Sequence, residues 1–294
     1  MYLKDFTEYL REEKRMAGNS LQAYSSDVRE FKSFEEARGI ERIEDASTTE
    51  VVAYLHSLKS DGKSASTVNR KLSSVRTYFA YLQNRGIIAR NPAVDIRSPK
   101  VERKEISYLT LDEIERIFEC TDDTTKGIRD KAILEVMYAT GIRATELIEA
   151  NIENINLKMG FIACSTENER ARIVPLGVPS RQALEQYISS ARRIMIGEGS
   201  EENALFVNYS GERISRQGLW KVLKEYGEKA ELSQKLTPNI LRNTFAIHML
   251  QNGADLKTLQ ELMGYEDISA VQAYLAAMKT RIKDVYDRTH PRAK

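Results

Sequence analysis

The amino-acid sequence predicts a mainly α-helical protein of two domains, the second of which carries one small sheet. The chain has 294 residues, which suits two domains of about 100–200 residues each. Apolar residues recur at spacings of three and four through most of the chain, which is the period of amphipathic helices. Patterns typical of strands are confined to residues 152–176.

Four helical patterns precede a polar segment. Their apolar stripes run from Leu3 to Leu10, from Leu21 to Phe34, from Val51 to Leu58 and from Val68 to Leu82. Gly39 and Gly62 are the expected ends of the second and third helices, and Ser66 is the expected N-cap of the fourth. We therefore expect a small all-α domain over residues 1–97, a Pro-containing linker over 98–106 and a larger domain over 107–294.

The larger domain is predicted to begin with a capping box, Thr110-Leu111-Asp112-Glu113. A helix over residues 129–138 is expected to stop at Gly141. Helical patterns resume at Ser180 and continue to the end of the chain. The predicted strands are Ile152–Leu157, Phe161–Cys164 and Arg172–Leu176, with turns at Met159-Gly160 and Thr166–Arg170.

Charge is distributed unevenly along the chain. The formal net charge is only +1, yet residues 59–104 hold a local surplus of +8. Such a block is either a solvated face or a surface that binds a phosphate backbone. On the fourth helix, Ser74, Thr77 and Tyr78 are expected to share a polar face with the basic residues. The candidates for DNA contact on this helix and in the linker are Arg70, Lys71, Arg76, Lys100, Arg103 and Lys104.

Composition argues against several classes of protein. No apolar run approaches the ~18 residues of a membrane span, and the N-terminus lacks the pattern of a signal peptide. Cys120 and Cys164 are far apart and the chain has three histidines, so neither a disulfide framework nor a zinc site is expected. We therefore expect a soluble, cytoplasmic protein.

Several motifs in the larger domain occur in an order and at spacings that are typical of a known family. Arg143 lies in the segment TGIRATEL, and Arg242 lies about a hundred residues later in LTPNILRNTFA. The segment NGADLKTLQELMGY follows and ends at Tyr265, nine residues before Tyr274. Together these motifs resemble the tyrosine recombinase (phage integrase) family, and most of all the bacterial Xer-type site-specific recombinases. Alone, an arginine near a helix end is usually a cap, and a tyrosine in an apolar stripe is usually core.

The resemblance implies a fold and a reaction. It implies a helical, SAM-like core-binding domain and an α+β catalytic domain with a small antiparallel sheet, which together form a C-shaped clamp on duplex DNA. Arg143 and Arg242 would stabilise the charge of the transition state, and Glu146 would orient Arg143. Tyr274 would attack phosphorus to give a 3′-phosphotyrosine, on the way to a Holliday junction, with no cofactor and no metal. Arg170 and Arg172 would add positive charge near the DNA.

Four positions depart from the family pattern. Glu167 stands where the resemblance implies the lysine that protonates the leaving oxygen, and Asn239 stands for the first histidine of the HxxR motif. Tyr265 stands for a histidine or tryptophan, and Asn243 for a further usual histidine. Loss of a general acid costs ~10²–10⁴-fold in rate. Two hypotheses follow: a recombinase with a divergent active site, or a catalytically weakened or inactive DNA-binding or partner-regulating descendant. A helical DNA-binding regulator unrelated to recombinases is disfavoured by the sheet between Arg143 and Arg242.

The C-terminal segment carries an apolar stripe. It comprises Leu275, Met278, Ile282, Val285 and Tyr286. In a lone chain this stripe packs on its own domain by default. The resemblance instead implies a helix exchanged between subunits, giving a dimer on one DNA site and a tetramer on two, with identical subunits or with a second recombinase. It also implies association with the bacterial nucleoid.

Overall fold

The computed structural model describes residues 2–16, 18–100, 105–165, 171–197 and 199–289, and for 279–289 it describes the backbone alone. The chain divides into two compact units, Met1–Lys104 and Glu105–Lys294. Each unit has its own hydrophobic core. Among the described residues, no helix is long and apolar enough to cross a membrane.

The N-terminal unit is a helical bundle. Its described α-helices are α1 (Leu3–Glu12), α2 (Gly18–Glu36), α3 (Thr48–Ser60) and α4 (Ala65–Asn84). Helix α4 packs against each of the other three. Its predicted apolar stripe, which includes Leu72, Val75 and Phe79, is completely buried. The four predicted helices are therefore confirmed, with α4 at the centre.

Helix α4 begins two residues earlier than the sequence predicted. Its N-cap is Ser64, whose hydroxyl accepts the Thr67 N–H at 3.2 Å, whereas Ser66 lies inside the first turn. Both serines suit a helix start, because the N-cap preference is for a residue type and does not fix the position. The prediction of Ser66 as the cap was wrong.

The larger unit is also mainly helical. Its described α-helices are α5 (Leu111–Glu119), α6 (Thr125–Thr140), α7 (Ala144–Glu149), α8 (Val178–Gln186), α9 (Arg192–Ile196), α10 (Arg216–Lys229), α11 (Pro238–Gln251), α12 (Leu256–Met263) and α13 (Ile268–Thr289). The predicted capping box at the start of α5 is present: the Thr110 N–H donates to Glu113 Oε2 at 2.8 Å, and the Glu113 N–H donates to Thr110 Oγ1 at 3.3 Å.

One small antiparallel sheet lies in this unit. Its strands β1 (Ile155–Asn156), β2 (Phe161–Cys164) and β3 (Arg172–Pro175) pair in the order β1–β2–β3. Ile162 of β2 pairs with Ile155 and with Val174. The first strand is shorter than predicted, because Ile152–Asn154 forms a 3₁₀ turn in which Asn154 Oδ1 accepts the Asn151 N–H at 2.7 Å.

Two glycines end the helices on which the candidate site is built. Gly141 ends α6 with φ +59°, as the sequence predicted, and Gly264 ends α12 with φ +64°. A Cβ at Gly141 would lie 2.5 Å from Phe245 Cδ1 on α11. The last carbonyls of both helices have no partner in their own helix, and they carry partial negative charge.

Candidate active site

Arg242 is fixed at the two helix ends. It lies on α11, is 6% exposed, and donates through its guanidinium to the carbonyls of Gly141 and Met263. These oxygens lie at the C-terminal ends of α6 and α12, where a cation is favoured by the helix dipole. The charge of Arg242 is thus held in one place by main-chain atoms.

Arg143 is anchored beside it. It is the N-cap residue of α7, and it donates to the Gly264 carbonyl at 3.0 Å and to Glu146 Oε1 at 3.2 Å. Its own N–H donates to Glu146 Oε2 at 2.7 Å, so one carboxylate orients both the helix start and the side chain. The end of α12 therefore holds Arg143 and Arg242, which are separated by 99 positions in the sequence.

Glu146 is a buried counter-charge for two arginines. Its side chain is fully buried, and both its oxygens also accept from Arg172, one of them at 2.9 Å. Burial raises the pKa of this carboxyl, but the hydrogen bonds from Arg172 and Arg143 and their charges outweigh it, so the pKa lies below the ordinary value. Glu146 is therefore held as an anion.

The place of Arg172 corrects an expectation. The sequence suggested a DNA contact, but its Nε donates to the Leu262 carbonyl at 2.7 Å and both its other nitrogens donate to Glu146. Its side chain is only 10% exposed. The geometry supports a positioning residue, because Arg172 holds the carboxylate that in turn holds Arg143.

Tyr265 lies against both catalytic-candidate arginines. The guanidinium carbons of Arg242 and Arg143 are 5.0 Å and 5.8 Å from its ring centroid. Burial raises the pKa of its phenol. The charge of Arg242, the hydrogen bonds with Tyr274 and Arg242 and the charge of Arg143 lower that pKa, and together they outweigh the effect of burial. The net pKa of Tyr265 lies below its ordinary value.

Tyr274 shares a hydrogen bond with Tyr265. The two hydroxyl oxygens are 3.2 Å apart, and the Tyr274 hydroxyl also donates to Asn243 Oδ1 at 3.1 Å. Tyr274 is 5% exposed on α13. Burial, with the hydrogen bond and charge of Tyr265, raises its pKa above the ordinary value despite Arg242 and Arg143.

An open cavity of about 420 Å³ adjoins these groups. It is lined by Arg143, Ala144, Thr145, Arg216, Pro238, Asn239, Arg242 and Tyr265. The exposed Asn239 thus lines the same cavity as both arginines. Among the described groups that line the cavity there is no carboxylate, and its charges are those of three guanidinium groups. Such a cavity suits an anion.

Arg216 was missed by the sequence analysis. It is the first residue of α10 and is exposed. A positive charge in the first turn of a helix is unfavourable because it opposes the helix dipole. An arginine at a helix start therefore indicates a role other than helix stability, such as binding an anion.

Some predicted site residues lie outside the described residues. These are Arg103 and Lys104 in the linker and Glu167 and Arg170 in the turn between β2 and β3. Within the described residues, no group of three or more His, Cys, Asp and Glu side chains is placed to hold a metal ion.

Lys71 corrects the predicted basic face of the N-terminal unit. It is 5% exposed and ion-paired with Asp27 at 3.3 Å and with Glu30. Ser74 and Tyr78, expected on the same polar face, are buried as well. The prediction that these residues face solvent was wrong, because acidic groups on α2 draw the lysine inward and a wider face of α4 is covered.

The other basic candidates of this unit differ among themselves. Arg70 pairs with Asp27 but is 43% exposed, and Lys100 is exposed. Arg76 donates to the carbonyls of Ala93 at 3.0 Å and Ile96 at 2.7 Å, so it holds the segment after α4. Of the described candidates, Arg70 and Lys100 therefore remain accessible.

The chain belongs to the phage integrase family. The family model matches residues 107–281, and the model of the N-terminal SAM-like domain of phage integrases matches residues 3–86. The chain is 40% identical over 295 residues to the tyrosine recombinase XerD of Oceanobacillus iheyensis, covering 99% of this chain and 98% of that protein. It is 36% identical over 293 residues to XerD of Listeria monocytogenes, covering 99% of each. The predicted family resemblance is confirmed.

Solved structures share the fold. The XerH site-specific recombinase bound to palindromic difH substrate, a post-cleavage complex, aligns with TM-score 0.76 and 18% identity over 97% of this chain and 83% of that chain. A lambda integrase dimer bound to a COC′ core site aligns with TM-score 0.70 and 19% identity over 93% of each. The predicted fold class, a helical SAM-like domain and a mainly helical domain with a small antiparallel sheet, is confirmed.

Proposed function

We propose that this chain is a tyrosine-type site-specific recombinase that cuts and rejoins duplex DNA through a 3′-phosphotyrosine on Tyr274. The observation that carries the proposal is the convergence of Arg143, Arg242 and the Tyr265–Tyr274 hydroxyl pair beside one open cavity. Family membership and the XerD relatives support the same reaction class.

In this proposal a DNA phosphodiester occupies the cavity. Arg143 and Arg242 bind its non-bridging oxygens and stabilise the extra charge of the pentavalent transition state. Arg216 and Asn239 supply further donors on the cavity wall. Tyr274 Oη attacks phosphorus, the bond to the 5′ oxygen breaks, and the bond energy is conserved in the protein–DNA link. The freed 5′ hydroxyl of a partner strand later reverses the step.

A second candidate function rests on the same site. The side-chain amide of Asn239 can form hydrogen bonds but does not act as a general acid or base. Tyr274 is buried, and its pKa is raised. A chain with these features binds DNA with its arginines and turns over slowly or not at all. This DNA-binding or partner-regulating descendant differs from the recombinase in one outcome, which is covalent attachment to DNA.

The test is a suicide duplex that carries a nick beside the cleavage position. A recombinase accumulates a covalent adduct that survives denaturing electrophoresis, and Tyr274→Phe abolishes it. Tyr209→Phe is the matched control, because Tyr209 is an exposed tyrosine of the same unit and should leave the adduct unchanged. Binding without adduct favours the second candidate.

We also propose that the protein contacts DNA with Arg70, Lys100 and the linker residues Arg103 and Lys104. Reversal of Lys100 to Glu should weaken binding and reduce the slope of log affinity against log salt by about one, because one fewer counterion is released. Lys4→Glu, a reversal of an exposed lysine on α1, is the matched control.

Assembly is the remaining part of the proposal. We propose a dimer on one DNA site and a tetramer on two, linked by exchange of the segment after Met278. Up to that point α13 packs in its own unit, with Val271 and Tyr274 buried against the cluster that includes Phe245. Leu275 and Met278 are half-buried.

A further inference from the structure

The amide of Asn243 is oriented by its neighbours. Its Nδ2 donates to the Ser107 carbonyl at 3.1 Å, which leaves Oδ1 facing Tyr274 at 3.1 Å. While both tyrosines are neutral, the Tyr274 proton points to this amide oxygen and the Tyr265 hydroxyl donates to Tyr274 Oη. An amide oxygen is too weak a base to take that proton. Attack by Tyr274 on phosphorus therefore needs another acceptor.

Tyr265 is placed to be that acceptor. Its oxygen is 3.2 Å from Tyr274 Oη, within reach for a direct proton transfer. Arg242 from α11 and Arg143 from the start of α7 lie against its ring, and main-chain carbonyls hold both guanidinium groups in place. The charged or titratable groups placed around Tyr265 include these two arginines and Tyr274, while Arg216 lines the same cavity and Arg172 lies against the neighbouring Gly264.

We propose that Tyr265 is a catalytic residue that, as a phenolate, takes the hydroxyl proton of Tyr274 during attack on the phosphodiester. This inference rests on the proposed function and assigns one of its proton transfers. The Tyr274 O–H bond breaks and its proton passes to Tyr265 Oη, while the Tyr274 oxygen forms the bond to phosphorus. The P–O5′ bond breaks, its electron pair stays on the 5′ oxygen, and that oxygen takes a proton from water. In the rejoining step Tyr265 returns the proton to Tyr274.

The opposite pKa directions of the two tyrosines agree with this assignment. The pKa of Tyr265 is lowered and that of Tyr274 is raised, so the first proton lost from the pair leaves Tyr265. A docked phosphate would offset the charge of both arginines and so make the Tyr265 phenolate a stronger base. The acceptor thus gains basicity at the moment when the nucleophile must lose its proton.

The first measurement uses free protein and needs no cleavage. Protein labelled with ¹³Cζ-tyrosine is titrated by NMR, and the Tyr265 signal is assigned by its loss in Tyr265→Phe. We expect this signal to titrate below the ordinary tyrosine pKa of about 10. In Tyr274→Phe the Tyr265 pKa should rise, because the hydrogen bond from Tyr274 that stabilises the phenolate is gone.

The second measurement separates the two oxygens of the reaction. Adduct formation is followed against pH on a normal suicide duplex and on one with a bridging 5′-phosphorothiolate, whose leaving sulfur needs no proton. Tyr265→Phe should slow both duplexes by ~10²–10⁴-fold and move the pH break upward, because attack then waits for ionisation of Tyr274 itself. Tyr209→Phe should match the unchanged chain on both.

The outcomes separate the proposals. A Tyr265 that titrates at or above the ordinary value overturns the proton transfer even if adducts form. Rescue of Tyr265→Phe by the phosphorothiolate also overturns it, because the defect would then lie in protonation of the leaving oxygen. No adduct from the unchanged chain on either duplex overturns the proposed function instead.

Discussion

Replacement of Glu146 by glutamine should destabilise the larger unit by about 3–5 kcal/mol, the cost of removing one partner from a buried ion pair. The carboxylate is fully buried and accepts from the main chain and guanidinium of Arg143 and from two nitrogens of Arg172. An amide keeps one acceptor oxygen but turns an NH₂ toward a guanidinium and removes the negative charge that Arg143 and Arg172 share at this position.

The pH dependence of this loss follows from the pKa of Glu146. That pKa is lowered in the folded chain, since the hydrogen bonds and charges of Arg172 and Arg143 outweigh the effect of burial. A lowered carboxyl pKa stabilises the fold above the unfolded value of about 4.3, and this stabilisation is lost as pH falls through the folded value. The difference in unfolding free energy between the unchanged chain and Glu146→Gln should therefore be full at pH 7 and shrink below about pH 4.

Urea unfolding at several pH values is the assay. Trp220 is the single tryptophan of the chain and lies in the larger unit, so its fluorescence reports that unit alone. With a slope of about 2 kcal/mol per molar urea, the midpoint should fall by about 2 M at pH 7. Glu149→Gln, at an exposed glutamate on the same short helix, is the control and should change little. An unchanged midpoint in Glu146→Gln, or a difference that grows toward acid, would refute the reasoning.

Three further changes test other parts of the molecule. Gly141→Ala should destabilise the larger unit by about 1–3 kcal/mol, measured by the same fluorescence, because a Cβ at φ +59° would lie 2.5 Å from Phe245; an unchanged midpoint would mean that the ring moves freely aside. Glu167→Lys with Asn239→His should raise adduct formation on the suicide duplex by about 10²-fold or more if the chemistry is otherwise intact, and no gain with DNA binding retained would place the defect elsewhere. Truncation after Met278 should leave single half-site binding intact and lower cooperativity on a full site, measured by sedimentation; undiminished cooperativity would refute the exchange model.

Periodicity and cap chemistry predicted much of the fold. The apolar stripe of α4, the capping box at Thr110 and the stop at Gly141 are all local patterns, and each is present. Local rules failed where the deciding partner is distant in sequence. Lys71 is drawn inward by Asp27, which lies 44 residues earlier on another helix, and no pattern within α4 indicates this.

The candidate site likewise contains residues that the sequence could predict and contacts that it could not. Family motifs named Arg143, Arg242 and Tyr274, and the structure places them together. The hydrogen bond between Asn243 and Ser107 joins residues 136 positions apart, and the two bonds of Arg172 to Glu146 span 26 positions. Such contacts depend on tertiary packing, so the orientation of Tyr274 and the positioning role of Arg172 became visible only in the structure.

The helix ends that hold the arginines have an evolutionary consequence. The carbonyls of Gly141 and Met263 accept hydrogen bonds from the buried Arg242. Substitution of Arg242 would leave these main-chain oxygens unpaired, which would destabilise the fold by about 1–3 kcal/mol for each. Purifying selection for folding alone would therefore preserve Arg242 in a lineage that had stopped cutting DNA. Asn239 is exposed on the cavity wall, so its substitution should cost little folding stability. Residue 239 can therefore change once selection for DNA cleavage is lost. Among relatives of this chain, the identity of the residue at position 239 should therefore report retained activity better than the presence of an arginine at position 242.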